Sequence, residues 1–329
     1  MTTFNELFPD GDVRRLANDT IKVKAYGSNP FRTAGLVQTS DEYNARVAQK
    51  GNIVSVPMLM PLAVGSQVQS DTGNPITPKK LAGDEVVAVK TRRSDAFVYA
   101  DLAQRVSGHD LEGHILSQLG ENVGLDEAAI LARKLNALRG INDAAMHFGS
   151  DTAGMDLAMI YDAEDSKEEN ASMLDTIIMH PRQRNYLKKQ NLIETVADTD
   201  QKSKIEYYGD KRVIVSSLMP NISGNVYGSI LIGAGAIGLG EANFFTGSEG
   251  SILAHNGGGA ETVLWRRDLL VNVFGYGVKL AANAIGTGGM TDAQIGAQAS
   301  YERVIADHKL VPLAFIKANV APAPAGGGA

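Results

Sequence analysis

The sequence predicts an α+β fold, and three observations carry that reading. Segments with helical periodicity and segments with strand character follow one another in mixed order, without the regular βαβ repetition of a doubly wound parallel sheet. The composition, 44% hydrophobic and 21% charged over 329 residues, is globular and sufficient for a real core in one large domain or two modest ones. Residues 1–50, by contrast, are polar and broken by Pro9, Gly11, Gly27, Pro30 and Gly35. Such a segment makes no core of its own and, if ordered, lies along another surface, that of its own chain or a neighbour's.

Taken in order, residues 1–50 therefore read as an arm with short apolar runs such as Ile21 to Tyr26. From Asn52 to Asp84, the alternating stretches Val54-Ser55-Val56 and Gln67-Val68-Gln69 are punctuated by Pro57, Pro61, Pro75 and Pro78, with a turn signal at Asp71-Thr72-Gly73-Asn74-Pro75. The pattern predicts a long, irregular β-hairpin. An insert of that length is usually functional, so partner contacts are expected there. Glu85 to Val89 and Ala96 to Tyr99 are short strands, and a helical stretch runs from about His109 to Arg139. In its second half Asp126 is placed to cap, Leu125 to staple onto Ile130, and Gly140 to close the end, with Ile130, Leu131, Leu135 and Leu138 on one apolar face. In its first half Leu111, Ile115, Leu119 and Val123 recur every four residues, but Gly113, Gly120 and Gly124 each cost about 1 kcal/mol relative to alanine. A bend or break is expected near residues 120–125.

Ser166 to Leu174 reads as helical, Thr176 to Met179 as a strand, and Pro181 opens a helix to about Gln190. Lys211 to Ser216 and Tyr227 to Ile232 are strands joined by a turn containing Pro220, Asn221 and Gly224, and Val263 to Val273 is β-rich. Asp292 to Ala306 reads as a helix, Leu310 to Lys317 as a last strand, and APAPAGGGA as a flexible tail. No internal repeat is visible.

Composition excludes several functions. Lys plus Arg is 31 against 37 Asp plus Glu, a net charge of -6 without long like-charge blocks, which argues against tight phosphate-driven nucleic-acid binding. The absence of cysteine removes disulfides, thiolate metal sites and cysteine nucleophiles, and suits a reducing cytosol. The N-terminus MTTFNELFPDGDVRR lacks the apolar core of a signal peptide, and Val226 to Gly240 is too short and glycine-rich to span a bilayer.

Individual motifs give little chemistry. Gly233, Gly235 and Gly238 after the apolar run Tyr227 to Ile232 form GxGxxG, a dinucleotide fingerprint and hence a reading as an NAD-binding oxidoreductase. That reading needs a helix directly after the loop to hold the phosphates, and Gly240, Gly247 and Gly250 leave no room for one. The bland alternative is a strand whose glycines permit a tight turn or close packing. His109 and His114 lie five apart, the wrong spacing for two ligands on one helical turn, and HExxH is absent. Asp162, Glu164 and Asp165 resemble the start of a calcium loop, but Lys167 stands where glycine is needed and Met173 where the bidentate acid belongs. No GxSxG elbow holds a nucleophile, and His180 before Pro181 reads as a packing or hydrogen-bonding residue at a strand end. No cofactor, metal or catalytic residue is assigned. The paired cations Arg92-Arg93 and Arg266-Arg267 stand beside strand-like runs, and arginine is enriched where carboxylates are gripped across interfaces, so the four are candidates for contacts between subunits.

Three separated motifs carry a family resemblance. Ile177-Ile178-Met179-His180-Pro181 with Tyr186-Leu187-Lys188-Lys189-Gln190 and Leu192-Ile193 resembles an apolar strand, MHP, then a helix ending in L-K-x-Q and an apolar pair. Tyr208-Gly209-Asp210-Lys211-Arg212-Val213-Ile214-Val215 and Tyr227 to Ala236 are similar to G-x-R-V-I-V and Y-x-x-x-L-x-G-x-G-A. Glu261-Thr262, Arg266-Arg267-Asp268, Tyr301-Glu302-Arg303-Val304 and Lys309 to Leu313 resemble a closing strand and a terminal helix and strand. Together, over residues 85 to 319, these resemble the major capsid proteins of tailed bacteriophages with the Hong Kong phage-type fold.

The resemblance implies an arm at 1–50, an extended hairpin loop at 51–84, a peripheral domain with a long spine helix at 85–165, an axial domain at 166–260, a return to the peripheral domain at 261–319, and a tail at 320–329. It implies pentamers and hexamers of this chain closing into an icosahedral head around double-stranded DNA, assembled in the bacterial host cytoplasm. It also implies a separately encoded scaffolding protein, a portal protein and a decoration protein as partners, and no membrane. Some members of the family cross-link a loop lysine, and Lys79 and Lys80 lie in the corresponding stretch as candidate intersubunit residues. A nonviral, encapsulin-like shell of the same fold is the alternative.

Overall fold

The computed structural model describes residues 19, 21–59, 83–100, 106, 111–141, 144–197, 204–253 and 258–320. Lys79, Lys80, His109, the far part of the expected hairpin and the tail lie outside them. The arm forms a helix at residues 21–28 (α1), a short helix Pro30–Thr33 (α2), the strand Val37–Thr39 (β1) and the helix Asp41–Ala48 (α3). Ile53–Leu59 (β2), Gly83–Val89 (β3) and Thr91–Ala100 (β4) precede the long helix Leu111–Arg139 (α4). His147–Gly154 (β5), Ala158–Asp165 (α5), Thr176–Met179 (β6), Pro181–Lys189 (α6), Ile193–Ala197 (β7), Lys204–Tyr208 (β8), Lys211–Val215 (β9) and Asn221–Ser223 (β10) follow. Val226–Ile232 (β11), Ile237–Leu253 (β12), Gly258–Val273 (β13), Tyr276–Val278 (β14), Asp292–Gly296 (α7), Tyr301–Arg303 (β15) and Leu313–Asn319 (β16) complete the described chain.

Local chemistry explains several of these starts. Pro30 opens α2, where the Asn29 carboxamide oxygen accepts from the Phe31 and Arg32 amides. Ser40 caps α3 through the Tyr43 amide. His180 caps α6 just before Pro181, accepting from Arg182 N–H, while Gln183 Oε1 accepts from His180 N–H.

Two sheets organise the molecule. The larger runs β5-β16-β11-β6-β9-β8-β7, with β10 beside β11. Its central strands are buried on both faces, which is why Val226–Ile232 is largely apolar, with the Ser229 hydroxyl donating to Gln183 Oε1 at 2.9 Å. Alternate residues serve separate cores: Ile178, Ile230, Ile232 and Phe315 face α4 residues Leu131, Leu135 and Leu138, whereas Ile177, Met179, Leu231 and Ile316 pack with α5 and α6. The second sheet, β1-β12-β13-β4, is a long antiparallel ribbon with β1 added in parallel. Leu269, Val271 and Val273 of β13 join the α4 core. The base of the expected hairpin is present as β2 paired to β3, from Ile53↔Val89 to Leu59↔Gly83.

Several expectations are corrected. α4 is a single uninterrupted helix through Gly120 and Gly124, so the expected break is absent. Asp126 accordingly sits inside the helix rather than capping it, and Leu125 is 53% exposed rather than stapled. The segment 292–306 is α-helical only to Gly296, with a single 3-10 turn at Gln298–Ser300. Beyond it the chain extends so that Tyr301 can pair with Val278 and donate its hydroxyl to Ile295 O at 3.0 Å, a tertiary arrangement that overrides the local pattern. The helix expected over 166–174 is present as a 3-10 helix at Glu168–Met173, following α5.

Candidate functional site at the junction of arm, long helix and ribbon

The glycines that looked like helix breakers hold the arm. A methyl group at Gly120 would lie 2.6 Å from Lys24 Cβ, and one at Gly124 would collide with Ser28 Oγ and the Ala25 carbonyl oxygen. Their absent side chains let α1 settle directly on the α4 backbone, where Ile21 and Ala25 pack with Leu119, Val123 and Trp265. Ser28 Oγ closes the contact by donating to Glu121 O at 3.2 Å. The described part of the arm thus lies on its own chain.

Beside this contact is a buried ionic cluster. Glu127 of α4, its side chain 2% exposed, accepts from Asn29 Nδ2 at 2.8 Å, Arg32 Nε at 2.5 Å and Arg267 Nη1 at 3.0 Å. Arg267 also donates to Val123 O at 3.1 Å and lies 3.5 Å from Glu241 Oε2, which is itself 3.6 Å from Arg32 Nη2. Two arginines and two glutamates from arm, α4, β12 and β13 thereby neutralise one another, the condition under which buried charge is tolerated. Sequence reasoning singled out Arg267 but missed Glu127, Glu241 and Arg32. Nothing local marked Glu127, which stands directly after Asp126 beside the apolar face of the helix.

The four arginines named from the sequence separate by face. Arg267 is buried within the subunit, and Arg93 pairs with Asp292 of α7, which Arg133 also holds at 2.8 Å. The hydrogen bond from Arg93 is the main reason the Asp292 carboxyl sits below its usual range. On the opposite face of the ribbon, Arg92 Nε lies 3.2 Å from Asp268 and its side chain is 52% exposed. Exposed Arg266 lies over the Phe245 ring, 4.9 Å from its centre. A bulge in β12 between Ala242 and Phe245, where Asn243 adopts φ +55° and donates to Asp268 Oδ2 at 2.7 Å, shapes an open cleft of about 590 Å³ there.

The remaining motifs have structural roles. Gly233 to Gly235 turn the chain from β11 in one sheet to β12 in the other, with Gly235 at φ +75°. Gly238 and Gly240 lie in β12 against Tyr43 and Val47 of α3, where a side chain would collide. A strand of 17 residues stands where a dinucleotide fold requires a helix, so the oxidoreductase reading is overturned. His180 stacks on Tyr227 at 4.5 Å, and desolvation followed by the charge of Arg182 lowers its pKa. Glu164 pairs with buried Lys211 from within α5 rather than from a calcium loop. Among the described residues no cluster of His, Asp or Glu converges to hold a metal ion, and no helix is long and apolar enough to cross a membrane.

No family model matches the sequence. Over 298 residues, however, the chain is 30% identical to the major capsid protein of Bacillus phage SPP1, covering 85% of this chain and 88% of that protein. The chain belongs to the tailed-phage major capsid proteins. Solved structures share the fold of this capsid protein. The capsid of Ralstonia phage GP4 matches with a TM-score of 0.57 at 11% identity over 88% of each chain. The cyanophage Pam1 capsid matches at 0.54 and 11% identity over 88% of this chain and 92% of that one. A chain of Mycobacterium phage Adephagia matches at 0.51 and 10% identity over 90% and 91%. The capsid fold expected from the three motifs is the fold observed.

Proposed function

We propose that this capsid protein assembles with itself as pentamers and hexamers into an icosahedral head enclosing double-stranded DNA. The observation that carries the reading is the 30% identity to a phage major capsid protein over most of both chains. Its work is structural rather than catalytic: copies are held by many contacts, each weak enough to be corrected during growth. The residues divide into an arm at 1–50, an extended loop at 51–84, a peripheral unit at 85–165 completed by 261–319, an axial unit at 166–260 and a tail. The buried arm, helix and ribbon junction makes the peripheral unit stiff enough to transmit a fixed angle between neighbours. Contacts between subunits are assigned to exposed Arg92 and Arg266 and to Lys79 and Lys80 in the loop. Arg93 and Arg267 act behind them, fixing the ribbon that presents them.

Assembly takes place in the bacterial host cytoplasm with a scaffolding protein. A portal protein at one vertex and a decoration protein outside complete the head. A net charge of -6 suits a wall that contacts packaged DNA weakly and without sequence preference. Nuclease treatment of particles made with the neighbouring phage genes, followed by extraction, tests this reading. Long protected DNA is expected. Particles holding a protein cargo and no DNA would replace it with a nonviral shell.

A further inference from the structure

β4 is the outermost strand of the ribbon sheet and ten residues long. Its register with β13 is unbroken from Thr91↔Leu269 to Ala100↔Ala260. In an antiparallel ladder, alternate residues bond the partner strand and the intervening ones aim their N–H and C=O groups away from it. Arg92 N–H donates to Gly288 O at 2.9 Å on the side away from β13, which fixes the phase. Ser94, Ala96, Val98 and Ala100 therefore direct their backbone groups to the free side. Past the bridge Thr91↔Gly289, no strand pairs with that side among the described residues.

Two further features distinguish this edge. The Ala96 N–H is occupied by the neighbouring Asp95 carboxylate at 2.8 Å, a local substitute for the missing strand. Unpaired edges are normally shortened or blocked because they template pairing with other chains, yet here Val98 is 65% exposed in the middle of a long one. The edge strands of the larger sheet are shorter, β5 with eight residues and β7 with five. Alongside the β4 edge lie exposed Arg92 and Arg266, cations on a chain with 37 acidic and 31 basic residues, so a carboxylate from another copy finds a local partner there.

We propose that residues 94–100 of β4 accept an extended segment of a second copy of this chain as an added strand, with a carboxylate of that segment set against Arg92 and Arg266. The inference rests on the shell reading above and specifies one of its contacts. Main-chain hydrogen bonds supply affinity, the arginines supply register, and Asp95 guards the edge until the incoming strand displaces it from Ala96 N–H.

Hydrogen exchange of residues 94–100, compared between free wild-type subunits and purified particles, tests this directly. Exchange fast in the free subunit and slowed about tenfold or more in particles is expected. Exchange already slow in the free subunit would show that the chain's own residues cover the edge, and unchanged exchange in particles would show that nothing covers it. Either result overturns the proposal. V98P removes one outward N–H at an edge position where proline is tolerated. It should leave the free subunit's circular dichroism unchanged and abolish particles, whereas wild-type particle yield would overturn the strand addition. D95A should lower the protein concentration needed for assembly. A wild-type protein that forms no particle fails the shell reading instead, so the two failures are distinguishable.

Discussion

Alanine in place of Gly124 should loosen the arm, although the same exchange in an isolated helix would stabilise it by about 1 kcal/mol. The sign reverses because the new methyl group would meet Ser28 Oγ and the Ala25 carbonyl closer than real Cβ atoms approach any neighbour. One of those obstacles is backbone, so no rotamer change relieves it and α1 must move away from α4. Overpacking of this kind costs about 1–3 kcal/mol. Complete departure of α1 would forfeit the burial of Ile21, fully enclosed at 0% exposure, worth about 1.5–3 kcal/mol. Set against the helix gain, the net expectation is a loss of up to about 2 kcal/mol confined to the arm. Gly120→Ala should be milder, because its closest obstacle is Lys24 Cβ at 2.6 Å and the Ile21 carbonyl oxygen stands back at 3.3 Å. Hydrogen exchange over residues 21–28, read beside the thermal midpoint, is the assay. A G124A protein with a raised midpoint and unchanged arm exchange would refute the close-packing argument.

Glu127→Gln should destabilise the subunit by about 3–5 kcal/mol in chemical denaturation, since Arg32 and Arg267 would lose their nearest carboxylate and keep only longer contacts, to Glu241 at 3.5 and 3.6 Å and to Asp126 at 3.9 Å. Lys134, wholly buried on α4, donates to Val271 O at 2.5 Å and lies over Tyr301, and desolvation lowers its pKa from 10.5 to about 7. Because the unfolded chain binds this proton more tightly, the penalty is full below pH 7, shrinks as pH rises and is gone above about 10.5. Lys134→Met should therefore flatten the pH dependence of stability across that window and raise stability near pH 7, with a ceiling on the order of 5 kcal/mol. Glu206, lowered to about 2 chiefly by its hydrogen bond from Arg184, contributes stability above its ordinary 4.5 that is lost as pH falls through 2. Glu206→Gln should thus weaken the protein at neutral pH and remove part of its acid-unfolding transition.

What could be read in advance follows from what local sequence encodes. Thr176 to Met179 and Tyr227 to Ile232 were legible because central strands buried on both faces leave largely apolar runs. Pro181 marked a helix start because its fixed φ and missing N–H suit that position. The long helix was misjudged at Gly120 and Gly124 because glycine signals both flexibility and close approach, and only the position of α1 decides between them. The same ambiguity applied to Gly238 of the GxGxxG pattern, which receives Tyr43 of α3 rather than a phosphate. The helix expected over 292–306 failed where long-range pairing of Tyr301 with Val278 prevailed. Of the junction, Arg267 was visible as one of a cationic pair, but its carboxylate partners lie 140 and 26 residues away and no spacing rule links them.

Electron microscopy of the purified protein, produced together with its neighbouring genes, tests the central claim most directly. Closed particles of uniform diameter with icosahedral symmetry are predicted, each built from pentamers and hexamers of this chain. Only small, discrete oligomers under every condition would contradict the account.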